Sequence, residues 1–123
     1  MASNKAFTST VVAMSNVTTT NILNPGTGIT SPVGFSSTAP YIILRHIRIV
    51  NKTAGAVTFS LWKGGTGGNV AGTEVVGTGT SVAANSAYDW FGMMRFDAAD
   101  FLVGGASAAT SLSIQCEGEI GIV

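Results

Sequence analysis

The stretch Tyr41-Ile-Ile-Leu-Arg-His-Ile-Arg-Ile-Val50, Asn51-Lys-Thr-Ala-Gly55, Ala56-Val-Thr-Phe-Ser-Leu-Trp-Lys63 decides the fold class. It reads as one long β-hairpin, two arms dense in β-branched and aromatic residues around the turn Asn51–Gly55. In the second arm Val57, Phe59 and Leu61 alternate with Thr58, Ser60 and Trp62. Strand side chains point to opposite faces with period two, so one face of this arm is apolar and the other mixed. In the first arm Ile43, Ile47 and Ile49 share a parity with Arg45, while Ile42, Leu44 and Val50 share the other with His46 and Arg48. Both faces of that arm are therefore expected to meet protein.

Working outward, strands recur at short intervals with glycine punctuation. Gly64-Gly65-Thr66-Gly67-Gly68 reads as a loop tip, followed by strands at Thr73–Val76, Ser81–Ala83, Tyr88–Met94, Phe101–Val103 and Ser111–Val123. In the last, Leu112, Ile114, Cys116, Gly118, Ile120 and Ile122 share one parity, with Gly118 marking a bend or a close approach. Asp97-Ala98-Ala99-Asp100 reads as a single helical turn. Upstream, Phe7, Val11, Val12, Ala13 and Met14 offer one short strand and Val17–Leu23 another, before a Ser/Thr/Gly/Pro run to Pro40. This upstream zone reads either as the first strands of a sandwich or as an arm that orders on a neighbouring subunit. The expectation is an all-β chain: a single antiparallel β-sandwich, jelly-roll-like, with an extended N-terminal arm. Residues 1–38 supply the arm and first strands, and 39–123 the sandwich domain.

Composition narrows the function classes. At 123 residues the chain has room for one domain with a genuine core. Only 10% of its residues are charged, against about 25% in an ordinary soluble protein. Gly, Ser and Thr supply roughly a third of the chain. An exterior of hydroxyls and amides on a β-rich fold invites association, so part of it is expected to be covered by partners. The formal net charge of zero argues against nucleic-acid binding, which draws its affinity from a basic face. No apolar run approaches the roughly 18 residues that span a bilayer, and the N-terminal residues carry no secretory pattern, so the expected site of synthesis is a cytoplasm. Charges are segregated: Lys5, Arg45, Arg48, Lys52 and Lys63 come early, and Glu74, Asp89, Asp97, Asp100, Glu117 and Glu119 late, with Arg95 the exception. Early and late strands lying side by side would pair them; complementarity between copies is the other reading.

No catalytic constellation assembles, and neither enzyme, cofactor nor metal is expected. Gly64–Gly68 lacks the Lys-Ser/Thr and following helix that a phosphate loop needs. Asp97 and Asp100, with Asp89, could face a cation but read as turn formers. His46, the one histidine, lies inside a hydrophobic strand, and is expected to pair with a neighbour or line an interface. Glu117 and Glu119 share a parity at roughly 7 Å, a glycosidase-like spacing that an outward face explains as solubilising. Cys116 reads as a buried small hydrophobe. The aromatics are the stronger lead: Trp62 on a mixed face, Tyr88 and Trp90 on one side of their strand and Phe91 on the other. Such a strand has a core on one side and an interface on the other, or forms a carbohydrate-stacking platform.

The segment Arg45–Leu61 resembles a pattern of small tailed-phage virion proteins, in which an I-x-I-x-N-x-[TG]-x-x-x-x-V-x-x-x-L hairpin opens a sandwich. An L-x-x-x-D-x-L segment and a final G-x-E-I strand follow. Here three residues rather than four separate Thr53 from Val57, Phe96-Asp97-Ala98-Ala99-Asp100-Phe101-Leu102 stands at the middle segment with Phe96 for its leucine, and Gly118-Glu119-Ile120 stands at the last without the residue between glycine and glutamate. The resemblance implies a capsid decoration (cement) protein, commonly a homotrimer, that binds the major capsid protein on the outer surface of the virion and bridges capsomers. Contacts at several capsomers at once would then multiply through effective concentration. Phe7, Val11, Val12 and Met14 of the arm, with Trp62, Tyr88 and Trp90, are the candidate interface anchors. A tail- or fibre-associated module and a carbohydrate-binding sandwich using Trp62 and Trp90 are the alternatives.

Overall fold

A computed structural model describes residues 5–9, 11–25, 29–30 and 41–121, and among these there is no helix. The strands are β1 (Lys5–Ser9), β2 (Val12–Ala13), β3 (Asn21–Leu23), β4 (Ile29–Thr30), β5 (Tyr41–Asn51), β6 (Val57–Gly64), β7 (Thr80–Val82), β8 (Ala87–Asp97), β9 (Phe101–Ala106) and β10 (Leu112–Gly121). One sheet runs β4-β1-β10-β5-β8 with β2 also on β10; the other runs β3-β9-β6-β7. Setting aside the two-residue strands β2 and β4, β1-β10-β5-β8 faces β3-β9-β6-β7, the interleaved order of a jelly roll. All pairings are antiparallel. The chain is an all-β sandwich, as the alternation predicts.

Tyr41–Lys63 is not a hairpin, however. β5 pairs with β10 and β8, and β6 with β9 and β7, so the two arms lie in opposite sheets and the Asn51–Gly55 loop arches between them. The loop carries no Asn-Gly or Asp-Gly turn of the kind that brings two strands edge to edge. Asn51 ends β5 pointing inward, 1% exposed, and its amide donates to the carbonyls of Gly55 at 2.8 Å and Val82 at 3.0 Å. Its carbonyl accepts the Thr53 N–H at 2.9 Å. One side chain therefore shapes the arch and ties the end of the first sheet to β7 in the second.

The two-faced reading of the first arm is also corrected. Ile42, Leu44, Ile47 and Ile49 are all fully buried, although Leu44 and Ile47 differ in parity. A bulge at Arg45–His46 does this: Leu44 opposes Gly118 and His46 opposes Glu117, so two steps of β5 span one of β10. The inserted residue turns both Arg45 and His46 outward and re-aims the aliphatics into the sandwich. Against them pack Phe59 and Leu61 from β6, Leu102 from β9, Phe96 from β8 and the apolar face of β10. The regular parity of Leu112, Ile114, Cys116 and Ile120 holds; Ile122 lies outside the described residues.

The described part of the N-terminal zone belongs to the sandwich. β1 pairs with β10, with Phe7 opposite Gly118, and β3 pairs with β9. Phe7, Met14 and Leu23 are 3%, 3% and 1% exposed, in one core with β5 and β6. Asn24 donates to the carbonyls of Ala98 and Asp100, fastening this zone to the β8–β9 turn. Residues 26–28 and 31–40 lie outside the described residues. Two smaller expectations also change. Of Thr73–Val76, Glu74 alone makes a bridge, to Trp62, and Asp97–Asp100 is a four-residue turn closed by the Asp100 N–H on the Asp97 carbonyl at 2.9 Å.

Cys116 is fully buried between β1 and β5, and burial pushes its thiol from 9.0 up to about 12. Below pH 9 both the folded and unfolded chains hold this proton. Between pH 9 and 12 the unfolded chain releases it first, so this contribution to stability is lost as pH rises through that window. The thiol is expected to resist alkylation at pH 8 until denaturant unfolds the chain, measured by mass shift; rapid modification of the native protein would contradict the burial.

Candidate interaction surface

The outer face of β10-β5-β8 gathers most of the described charges. The Arg45 guanidinium pairs with Glu119 of β10. His46 Nε2 lies 2.7 Å from Asp89 Oδ1, and Arg48 Nη1 3.3 Å from the same oxygen, both across to β8. The His46 ring stacks on Phe91, centroids 4.6 Å apart and planes 6° from parallel. Arg95 sits 4.1 Å over the Tyr41 ring and bonds Asp97 at 2.9 Å. Elsewhere Lys63 lies 4.0 Å from Asp100. Early cations thus meet late anions because β5 runs between β8 and β10. These pairs are solvent-exposed, so Arg45→Ala is expected to change the unfolding free energy by less than about 1 kcal/mol; a larger loss on denaturant titration would mean the pair is structural.

The chemical candidates are separated by the same geometry. Asp89 is held by His46 and Arg48, whereas Asp97 and Asp100 lie at the far end of β8 in their own turn, the Asp100 carboxylate accepting the Asp97 N–H at 2.9 Å. No group of three metal-binding side chains forms among the described residues. Glu119 is engaged by Arg45, which separates its role from that of Glu117. Gly64–Gly68 closes on itself, Gly68 N–H to the Gly65 carbonyl at 2.9 Å, and leans on Asn21 through the Gly67 N–H.

Among the sequence-derived anchors, Phe7, Met14 and Trp62 are buried within the chain at 3%, 3% and 7% exposure, and none offers a surface. Trp62 faces away from the main core yet packs opposite Val103, itself fully buried. Tyr88 and Trp90 are half-buried on the core side of β8, Tyr88 edge-on to Phe59 at 5.3 Å. Neither tryptophan is the exposed platform that carbohydrate stacking needs. Val11 and Val12 are exposed, beside a shallow cleft of ≈ 230 Å³ lined by Val12, Met14, Thr20, Ile22 and Ile114.

The most exposed large apolar side chains among the described residues are Phe91 at 73% and Met93 at 68%. Both lie on β8, at the rim of the charged face. Their signal was present in the sequence: Ala87, Asp89, Phe91, Met93, Arg95 and Asp97 form the outward parity of a strand whose inward parity is Tyr88, Trp90, Gly92, Met94 and Phe96. Alternation alone does not say which of the two parities faces the core, because both carry large apolar side chains. No protein-family model matches this chain and no curated protein matches it, so its functional reading rests on this surface and on the resemblance of its motifs.

Proposed function

We propose that this chain is a structural virion protein that binds the outer surface of a tailed-phage capsid, contacts the major capsid protein, and stabilises the shell by bridging capsomers. The observation that carries the reading is an exterior poor in charge whose ions are largely consumed in pairs within the sheet, leaving exposed apolar rows at Phe91–Met93 and Val11–Val12. Such a surface loses little hydration on docking, because few unpaired ions must be stripped of water. A jelly-roll scaffold supports the role by holding Phe91 and Met93 on an extended strand rather than on a loop. The likeness of Arg45–Leu61, Phe96–Leu102 and Gly118–Ile120 to virion-protein motifs points the same way.

Purified protein mixed with undecorated phage heads is expected to co-sediment in a saturable, stoichiometric manner. Failure to bind heads, with binding to a glycan array instead, would replace this reading with a lectin. Attachment runs through the folded sandwich, because β1 pairs with β10 and Phe7 belongs to the core. Deleting residues 1–15 would remove β1 from beside β10 and Phe7 from the core, and is expected to unfold the sandwich rather than merely release it from the shell.

A further inference from the structure

Among the described residues β8 has one neighbour, β5, along its 11 residues, whereas the other edge strands β3, β4 and β7 have 3, 2 and 3 residues. An unpaired row of N–H and C=O groups is a template for another strand, and monomeric proteins block such edges with proline, lysine or a bulge. Ala87–Asp97 contains neither proline nor lysine, and its one irregularity is a register shift against β5, where three steps from Phe91 to Met94 span two from His46 to Leu44; Phe91 and Met93 on either side of Gly92 both stay exposed. The hydrogen-bonding phase follows from the Asn51 N–H, which donates to the Ser86 carbonyl at 2.8 Å. Bonded and non-bonded pairs alternate in an antiparallel ladder, so Tyr88 and Trp90 turn their peptide groups to β5, and Met94, opposite Leu44 beyond the register shift, keeps their parity within β8. Ala87, Asp89, Phe91, Met93 and Arg95 turn theirs to the open edge. The Asp97 N–H shares that parity and is already taken by Asp100.

We infer that two copies of this chain pair through β8, antiparallel about a twofold axis at Gly92, to form one sheet continuous across both. In this register Phe91 meets Met93 of the second copy, Asp89 meets Arg95, and Trp90 meets Met94, each pair occurring twice by symmetry. The two most exposed apolar side chains of the described chain thus cover each other, and opposite charges face. The same 91–93 and 89–95 pairs join residues whose peptide groups both point to the edge, so backbone and side-chain complementarity select one register. An axis at Phe91 would set Asp89 against Met93, and one at Met93 would set Asp89 against Asp97. The pairing consumes the edge and closes with two copies, not the three that the virion resemblance implies.

Sedimentation equilibrium of the full chain at micromolar concentration is expected to give twice the 12.5 kDa chain mass. A monomer or a trimer overturns the inference. Met93→Lys is expected to raise the dissociation constant at least about tenfold, with the fold retained by circular dichroism; an undiminished dimer overturns it. Independently of that variant, Phe91→Cys/Met93→Cys places cysteines opposite each other about 5.5 Å apart between Cα atoms, within disulfide reach. Mild oxidation is expected to give a covalent dimer from the double variant and from neither single variant, since a single cysteine meets its own copy only if the axis lies at Phe91 or Met93. Crosslinking of a single variant, or none of the double, overturns the register. Buried Cys116 stays out of this chemistry. Head binding does not enter these measurements, so their failure leaves the capsid reading standing; their success covers Phe91 and Met93 in the dimer and leaves Val11 and Val12 as the apolar side chains for the shell.

Discussion

Gly118→Ala is expected to destabilise the sandwich by at least about 3 kcal/mol, which is at or above the usual range for overpacking because rigid backbone stands in the way. A Cβ at this position would lie 2.0 Å from the Ile43 carbonyl oxygen, 3.0 Å from its carbon and 3.0 Å from the Phe7 ring. The oxygen belongs to β5 just before the bulge, where the strand swings toward β10, and Phe7 presses from β1 on the other side. Relieving the overlap requires the bulge to move, and with it the inward aim of Leu44 and Ile47. A domain of this kind has about 5–15 kcal/mol in total, so the melting temperature should fall by about 10 °C or more. Gly77→Ala is the control: nothing lies within 4 Å of its Cβ, and the change should stay within about 0.5 kcal/mol. If both variants melt within a few degrees of the parent, the close approach at Gly118 is wrong.

Asn51→Ala is expected to lose about 3 kcal/mol through a different route. It strands the Val82 carbonyl in the interior and frees the arch that Gly55 and Thr53 close. Asn51→Asp should be worse than alanine at neutral pH, because a buried carboxylate would face two carbonyl oxygens where the amide donated. Protonation turns one carboxylate oxygen into a donor, so the Asp variant should recover part of its loss as pH falls from 7 to 4, while the Ala variant does not. Denaturant midpoints at the two pH values decide it. Equal loss for Asp and Ala at pH 7 would mean that the amide is not the tie between the sheets.

The two sites explain what could be read from the chain and what could not. Val57, Phe59 and Leu61, and Leu112, Ile114, Cys116 and Ile120, declare their buried faces because alternation is a local property of an extended backbone. The choice of neighbour is not local. Tyr41–Asn51 and Val57–Gly64 look alike whether they pair with each other or lie in opposite sheets, and the deciding contacts come from Val82 and from β10, far along the chain. Parity also fails wherever a bulge intervenes: by alternation Arg45 and His46 belong to different faces, yet the strand turns both outward. Burial of Phe7, Met14 and Trp62 rather than exposure follows from the same limit: a large apolar side chain reads identically as core or as interface until its neighbours are placed. The segregated charges were legible as cross-strand partners, although which anion each cation meets depended on the register.

By itself the sequence determined the all-β class, the apolar faces of β6 and β10 and the scarcity of ions, because period-two patterning and composition act residue by residue. Only the tertiary structure decided that the central strands arch between sheets, that a bulge re-aims β5, and that β8 ends the sheet with Phe91 and Met93 uncovered. Those outcomes are set by hydrogen bonds and packing between segments remote in the chain, where the free energy of a pairing belongs to two strands jointly and is written in neither alone.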